Sequence, residues 1–289
     1  MGKENRSKMM VSNQTMKMAL LLLACGFMAT GVIGADQLLY QRAKATTLPP
    51  GCPPRSSVLL RSMHEHPRND KDPHNTIEAI QDFHATHLIW SYDTNPDFIR
   101  RVKALGLKFQ NAMSHTIKPA HGFTKEQVLE RACLKLDGEY VVAPWKRKWT
   151  PPTVQGCANS PKFRELQLNL VLTAVKNGAD FFQRDEPRGN VFSPQWGGCF
   201  CKHCMDGFTD YLKRKFKAKQ LAAMGVVNIT TFNYADHLRK KNAPVGDAFG
   251  RWNRGPLKKH FIDFQQESMV KFHQWWRGEL NRRVGRYIP

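Results

Sequence analysis

Cys157-Ala158-Asn159-Ser160-Pro161 opens a stretch that runs to Ala179-Asp180-Phe181-Phe182-Gln183-Arg184-Asp185-Glu186-Pro187, with Cys199-Phe200-Cys201-Lys202-His203-Cys204 close behind. Ser160 can cap a helix and Pro161 can open one. Phe163, Leu166, Leu170, Val171 and Ala174 recur at helical spacing. Asn177-Gly178 is a usual C-terminal signal, and Ala179 to Gln183 reads as a buried strand. Asp185 and Glu186 fall at its carboxyl end, before a proline. In a (β/α) barrel that end faces the active site, so an acid there reads as catalytic. On a surface turn the same pair would be two solvated carboxylates.

Working outward, helix and strand patterns alternate. Thr76 to Phe83 reads as a short helix and His87 to Tyr92 as a strand. Pro96 to Leu105 is an amphipathic helix ended by Gly106, and Leu107 to Ala112 is the next strand. Thr124 to Lys135 reads as a helix with Thr124 and Gln127 as a capping box, and Tyr140 to Ala143 as a weaker strand. Helices follow at about Cys201–Lys219, Tyr234–Lys241 and Pro256–Val284, the last with Phe261, Phe264, Met269, Phe272 and Trp276 on one side. Strand and helix in alternation predict a parallel sheet. The expected fold is α/β, a TIM-type (β/α)8 barrel of which about four units, its first half, are read here. Such a half-barrel leaves a sheet edge uncovered, so pairing into a homo-oligomer is expected.

The cysteines carry separate information. C-x-C-x-x-C places three sulfurs on one loop, and Cys157 is the natural fourth, with His203 able to replace one of them. Spacing leaves three readings open: a tetrahedral metal site, a disulfide framework, or a redox C-x-x-C.

The run from Cys157 through Phe163 and Arg164, the strand end Gln183-Arg184-Asp185-Glu186, and Cys199-Phe200-Cys201-Lys202-His203-Cys204 followed by Phe208, Tyr211-Leu212 and Lys215-Phe216 together resemble the retaining β-galactosidases of glycoside hydrolase family forty-two and their secreted relatives. The resemblance is strong over about 60 residues. It implies O-glycosyl hydrolase activity, with Glu186 as general acid/base, and a structural Zn2+ held by Cys157, Cys199, Cys201 and Cys204. Asp185 stands where that family has an asparagine that contacts the sugar. The family's nucleophile is a glutamate on strand seven, beyond the strands read here.

A retaining glycosidase needs two carboxyls about 5 Å apart. Glu186 supplies one. Glu267 and Glu279 sit in a helical pattern as solvated residues and do not supply the other. The readings are therefore a secreted glycoside hydrolase with a nucleophile outside this stretch, or a non-catalytic, zinc-stabilised carbohydrate-binding or truncated relative. A zinc finger for nucleic acid is disfavoured, because no second C-x-x-C or H-x-x-x-H pair accompanies the first.

Residues 1–35 have a polar basic start and an apolar run from Met18 to Ala35, with small residues before Asp36. They read as a signal peptide, as a lipoprotein signal ending at Cys25, or as an uncleaved membrane anchor. Export to a secreted or periplasmic location follows from each, with lipid attachment in the second. Cleavage after Ala35 would leave Cys52 and Cys133 outside the metal set, free to pair or to stay as thiols. Residues 36–75, rich in proline and charge, read as a linker with a short strand at Val58-Leu59-Leu60, and His64, His66 and His74 in it as solvated. Residues 76–289 are then the catalytic-type domain, with a zinc-binding insertion at 157–204.

Trp90, Trp145, Trp149 and Trp196 fall at strand ends or in loops, where aromatic faces can stack on sugar rings. Tyr92 and Asp93 end one strand and Asn111 and His115 the next, so Trp90, Tyr92, Asp93, Asn111, His115 and Trp145 are the substrate-contact candidates. The chain carries a net charge of +20. Basic runs at Lys146-Arg147-Lys148, Lys213-Arg214-Lys215 and Arg239-Lys240-Lys241 read as solvated faces. Export argues against nucleic acid as partner, and an anionic polysaccharide fits both export and charge.

Overall fold

The computed structural model describes residues 59–61, 85–252 and 255–289. The signal segment, Cys25, Cys52, the three linker histidines and the helix expected at Thr76–Phe83 lie outside the described residues. Four parallel strands form one sheet in the order β1-β2-β3-β6. They are β1 (Leu59–Arg61), β2 (His87–Ser91), β3 (Lys108–Met113) and β6 (Phe181–Arg184). Between them stand α1 (Pro96–Ala104), a two-residue strand β4 (Thr116–Ile117), α2 (Lys125–Leu129), a two-residue strand β5 (Val154–Gln155) and α3 (Pro161–Lys176). After β6 come α4 (Lys202–Lys215), α5 (Ala218–Ala223), α6 (Tyr234–Lys240), α7 (Asp247–Arg251) and α8 (Pro256–Val284).

Local chemistry sets the crossovers. Asn95 caps α1 by accepting from the amides of Asp97 and Phe98, and Phe98, Ile99 and Val102 form its buried stripe. Ser160 caps α3 through the Phe163 amide, and Pro161 starts it. Gly178 ends it at φ 105. The Ala179 amide then reaches the Ala174 carbonyl at 2.9 Å and the Gly178 amide the Val175 carbonyl at 2.9 Å, the paired bonds of a Schellman stop. That turn delivers the chain into β6 beside β3, with Gln110 opposite Phe181 and Met113 opposite Arg184.

Among the described residues the sheet contains four strands: three follow the alternation, and the fourth falls at the short strand expected at Val58-Leu59-Leu60 and not at Tyr140–Ala143. Leu59–Arg61, inside the expected linker, pairs with His87–Ile89 as β1. Tyr140–Ala143 is not a sheet strand. Its amide at Val141 donates to the Cys133 carbonyl, and its carbonyl accepts from Gln155, at 2.8 and 2.9 Å. Asp137-Gly138 turns the chain back locally, with Gly138 at φ 84, so this apolar run finds a neighbour six to eight residues away instead of joining the sheet. The same ladder shortens the expected Thr124–Lys135 helix. Its Thr124–Gln127 capping box is present, but at Cys133 the backbone bonds to Gln155. Residues 114–157 therefore form an excursion at the carboxyl end of the sheet, pinned by β4 pairing antiparallel with β5.

Helix α8 spans two apolar clusters. Phe261 and Phe264 join Phe200, Phe208, Tyr211 and Tyr234 around the cysteines. Met269, Phe272, Trp276 and Leu280 pack with Phe163, Leu168 and Val171 of α3. Past its Gly285 cap at φ 73, the chain turns back, and the Pro289 carbonyl accepts from the Phe182 amide at 3.0 Å. Ile288-Pro289 thus lies along the free edge of β6. No helix among the described residues is long and apolar enough to cross a membrane.

Candidate functional site

Because the strands are parallel, their carboxyl ends gather at one side, and Tyr92, Ser114, Asp185 and Glu186 line one cleft there. Its volume is about 630 Å³. The Asp185 amide is fixed by the Met113 carbonyl at 2.9 Å, and Asp185 Oδ1 accepts from the Glu186 amide at 2.9 Å. Glu186 has a positive φ of 54, a left-handed conformation uncommon for any residue that carries a β-carbon. The strained turn presents its carboxyl to the excursion.

There the Glu186 carboxylate meets the Lys146 ammonium in a close ion pair. Lys146 is 5% exposed, so the basic run that reads as a solvated face turns one of its lysines inward. The partner carboxylate, Asp185, accepts from the Tyr92 hydroxyl. Burial and the Asp185 carboxylate push the Tyr92 phenol well above its ordinary pKa, which keeps it a donor. Trp90 Nε1 donates in turn to Tyr92 Oη at 3.1 Å. Trp145 and Trp149, each about half exposed, stand on the excursion as the apolar wall of the cleft with Pro151 and Thr153.

The remaining candidates lie elsewhere. His115 is fully buried. Its ring packs edge-on to Phe163 and Phe272, and its nitrogens face Arg184 Nη2 at 3.1 Å and Asn190 Oδ1 at 3.3 Å. Burial, then the Arg184 charge, lower its pKa to about 3. It is a neutral core residue, not a residue of the cleft mouth. The alternation that places Asn111 upward does not extend to His115, because the chain leaves β3 at Met113. Asp93 caps a turn by accepting from the Asn95 amide at 2.7 Å. Asn111 donates to the carbonyls of Ser91 and Asp93, so it braces the end of β2 while lining a smaller adjoining cavity. Trp196 packs against Trp145 and Phe192.

A second site lies behind the cleft. The sulfurs of Cys157, Cys199, Cys201 and Cys204 all lie within 4.8 Å of one another and are buried. Cys157 Sγ stands 3.5 Å from Cys204 Sγ and 3.6 Å from Cys201 Sγ. A disulfide needs about 2.05 Å, whereas sulfurs tetrahedral about one metal at about 2.3 Å stand roughly 3.8 Å apart. The cysteines are free thiols, so the disulfide reading fails for these four. Cys201 is the N-cap of α4 and Cys204 lies in its first turn; Cys157 precedes α3. Both helix starts favour thiolate charge.

Neutral amides surround the sulfurs. Asn159 Nδ2 donates to Cys204 Sγ at 3.3 Å, Gln265 Nε2 to the same sulfur at 3.5 Å, and Asn190 Nδ2 to Cys157 Sγ at 3.5 Å. Without a cation, burial holds the Cys199 thiol well above its ordinary pKa. Four sulfurs within bonding reach of one point and N–H donors aimed at them make a fitting metal-ion site. Cys133 stays outside the set, bonded to the Gly156 carbonyl at 3.0 Å and to Ser193 Oγ at 3.2 Å. Asn190, Gln265 and Lys146 are not legible as functional in the sequence. An amide or a lysine becomes a ligand's neighbour only through distant folding, and only Asn159 stood inside a recognisable run.

No family model matches the chain. Over 111 residues it is 25% identical to an alpha-agarase of Thalassotalea agarivorans, a match covering 36% of this chain. The chain spans about 8% of the length of that curated relative. The likeness is a weak one to a glycoside hydrolase, and it does not single out family forty-two.

Proposed function

We propose that this chain is the front part of a (β/α) barrel of glycoside hydrolase type, that it binds carbohydrate in the cleft at the carboxyl end of its sheet, and that Glu186 is the general acid/base. The observation that carries this reading is the single cleft that joins the Asp185-Glu186 strand end to the half-exposed Trp145 and Trp149. Sugar C–H faces stack on such rings, and a carboxyl at a strand's carboxyl end is where barrel chemistry occurs. The agarase likeness points to the same enzyme class. The ion in the cysteine cage is Zn2+ in a structural role, because four thiolates in a closed tetrahedral set leave no position for water.

In the proposed reaction Glu186 protonates the leaving oxygen. The Tyr92 hydroxyl holds Asp185, and a second carboxylate, supplied from outside the described residues, attacks the anomeric carbon. The Lys146–Glu186 pair favours a second reading, a carbohydrate-binding protein without turnover, since the ion pair already occupies the would-be acid. Release of reducing ends from agarose oligosaccharides by the full chain and its Glu186→Gln variant decides between them. Turnover abolished in the variant supports the hydrolase, whereas saccharide binding with no turnover in either supports the second reading. Absence of binding overturns both.

A further inference from the structure

Lys118 belongs to neither site as described so far. Its backbone is firmly held: Ile117 pairs with Val154 across β4 and β5, and Lys118 itself is extended at φ -95, ψ 151, as a residue before proline must be. Pro119 to His121 then form a tight turn closed by Gly122 at φ 68. The Lys118 amide donates to His121 Nδ1 at 3.2 Å. This pinned backbone carries the Lys118 ammonium to 4.8 Å above the centre of the Tyr92 ring, over the face that a cation favours.

From there Lys118 borders two cavities. One is the main cleft. The other, of about 330 Å³, adjoins it and shares Tyr92, Ser114, Thr116 and Lys118. Its remaining polar lining is Thr94, Asn111, His121 and Gln167, and no aspartate or glutamate is among its lining residues. The cleft's two acids are already engaged, Glu186 by Lys146 and Asp185 by Tyr92. Among the described residues no carboxylate lies within ion-pair range of Lys118. Burial, and then the charge of Lys146, lower its pKa, so the ammonium stands half-buried near a like charge. Such a group is stabilised by an anion that enters beside it.

We propose that the smaller cavity is a subsite for an anionic substituent of the bound glycan, a sulfate ester or a carboxylate, received by Lys118 with the hydrogen-bonded Ser114–Thr116 hydroxyl pair as a further donor. The proposal rests on the carbohydrate reading and names its substrate class: an acidic polysaccharide rather than a neutral one. Ser114 Oγ and Thr116 Oγ1 are hydrogen-bonded to each other at 2.5 Å, which leaves one hydroxyl hydrogen of the pair to address an oxyanion.

The test is calorimetric titration of the full chain with three probes of equal length: a neutral agarose oligosaccharide, a sulfated galactan oligosaccharide and an oligo-uronate. The charged probes are expected to bind about tenfold more tightly than the neutral one at 50 mM salt, with the preference shrinking at 300 mM as screening grows. Whichever of the two charged probes binds tighter identifies the substituent. Lys118→Met should reduce the charged-to-neutral ratio to about one, and Lys118→Arg should keep it, with thermal melts confirming that both variants fold. Equal affinity of wild type for all three probes, or a ratio unchanged in Lys118→Met, overturns the subsite while leaving carbohydrate binding intact. No binding of any probe overturns the subsite together with the reading beneath it.

Discussion

The cysteine cage and the cleft draw on one stretch of sequence, with Cys157 and Cys199–Cys204 on either side of Asp185-Glu186, yet they partner their polar groups in different ways. In the cage, the hydrogen bonds to the sulfurs come from the neutral amides of Asn159, Asn190 and Gln265, while the half-buried Arg164 acts on Cys157 only through its charge. In the cleft each carboxylate has its own donor, Lys146 for Glu186 and Tyr92 for Asp185. Buried thiols of this kind become thiolates when a cation binds among them, whereas a cleft whose acids are already paired suits a neutral or an acidic ligand. The two regions thus differ in how their polar groups are partnered, thiols by neutral amides in one and carboxylates by a lysine and a tyrosine in the other.

The contrast breaks most easily at the cage. Cys204→Ser, or a strong chelator on the wild type, is expected to remove about 5 kcal/mol or more of stability, because binding energy in a structural metal site is folding energy. For a domain of this size that corresponds to a fall in Tm of about 10–20 °C. Thermal scans with and without chelator, alongside metal analysis giving one ion per chain, check this. The aromatic cluster around Phe208, Phe261 and Tyr234 packs on the same loops, so if those rings alone held the insertion the chelator would leave Tm unmoved.

Next in size is the buried ion pair. Lys146→Met leaves Glu186 partly buried, at 16% side-chain exposure, with its Oε2 already lacking a partner. Removing one member of such a pair costs about 3–5 kcal/mol, while the double variant with Glu186→Gln should recover most of the loss. Urea denaturation of the three proteins gives the coupling. If Lys146→Met costs under about 0.5 kcal/mol, the pair is no stronger than a surface contact, and the cleft is not charge-balanced as described.

The unequal legibility of the two regions has a physical cause. The cage was readable because its ligands are short-range: C-x-C-x-x-C fixes three sulfurs on one loop, and Cys157 precedes a helix whose Ser160-Pro161 start and Asn177-Gly178 stop are local signals too. The strand into Asp185-Glu186 was readable for the same reason. Lys146 and Lys118 were not. Nothing within a few residues tells a lysine that turns inward from one that does not. The excursion that turns them depends on Cys133, Val141 and Gln155 bonding across gaps of 8 to 22 residues in the chain. The Tyr140–Ala143 segment, expected as a weaker sheet strand, is the same failure seen from the backbone: its extended run finds its hydrogen-bonding partner across a local turn.

His115 extends the comparison to the wall between the regions. Its pKa falls from an ordinary 6.5 to about 3, so the folded state disfavours the charged ring. Its contribution to stability is complete above pH 6.5 and is lost as pH falls towards 3, because the unfolded chain binds the proton that the folded one refuses. The slope in that window is about 1.4 kcal/mol per pH unit. His115→Gln should flatten it between pH 6 and 5 in denaturation curves run at fixed metal. The thiolates also protonate in acid, so the informative quantity is the difference in slope between variant and wild type. Equal slopes would mean that the ring is hydrated in solution and that Arg184 and Asn190 do not enclose it.

The smallest effect sharpens the cleft itself. Trp145 is 52% exposed, and its ring already meets Trp196 edge-on at 5.3 Å, so removing it takes little from the core. A stacked sugar gains about 0.5–1.5 kcal/mol from such a ring beyond its buried area. Trp145→Ala should therefore weaken saccharide binding by about tenfold while moving Tm by no more than a degree or two, and Trp149→Ala should do the same. Were the two rings only a cap over Lys146, the substitution would instead admit water to the Lys146–Glu186 pair. Stability would then fall and saccharide affinity would stay put. Measuring both quantities on one variant thus separates a binding wall from a packing lid, and the ratio of the two effects tells how much of this aromatic surface the glycan uses.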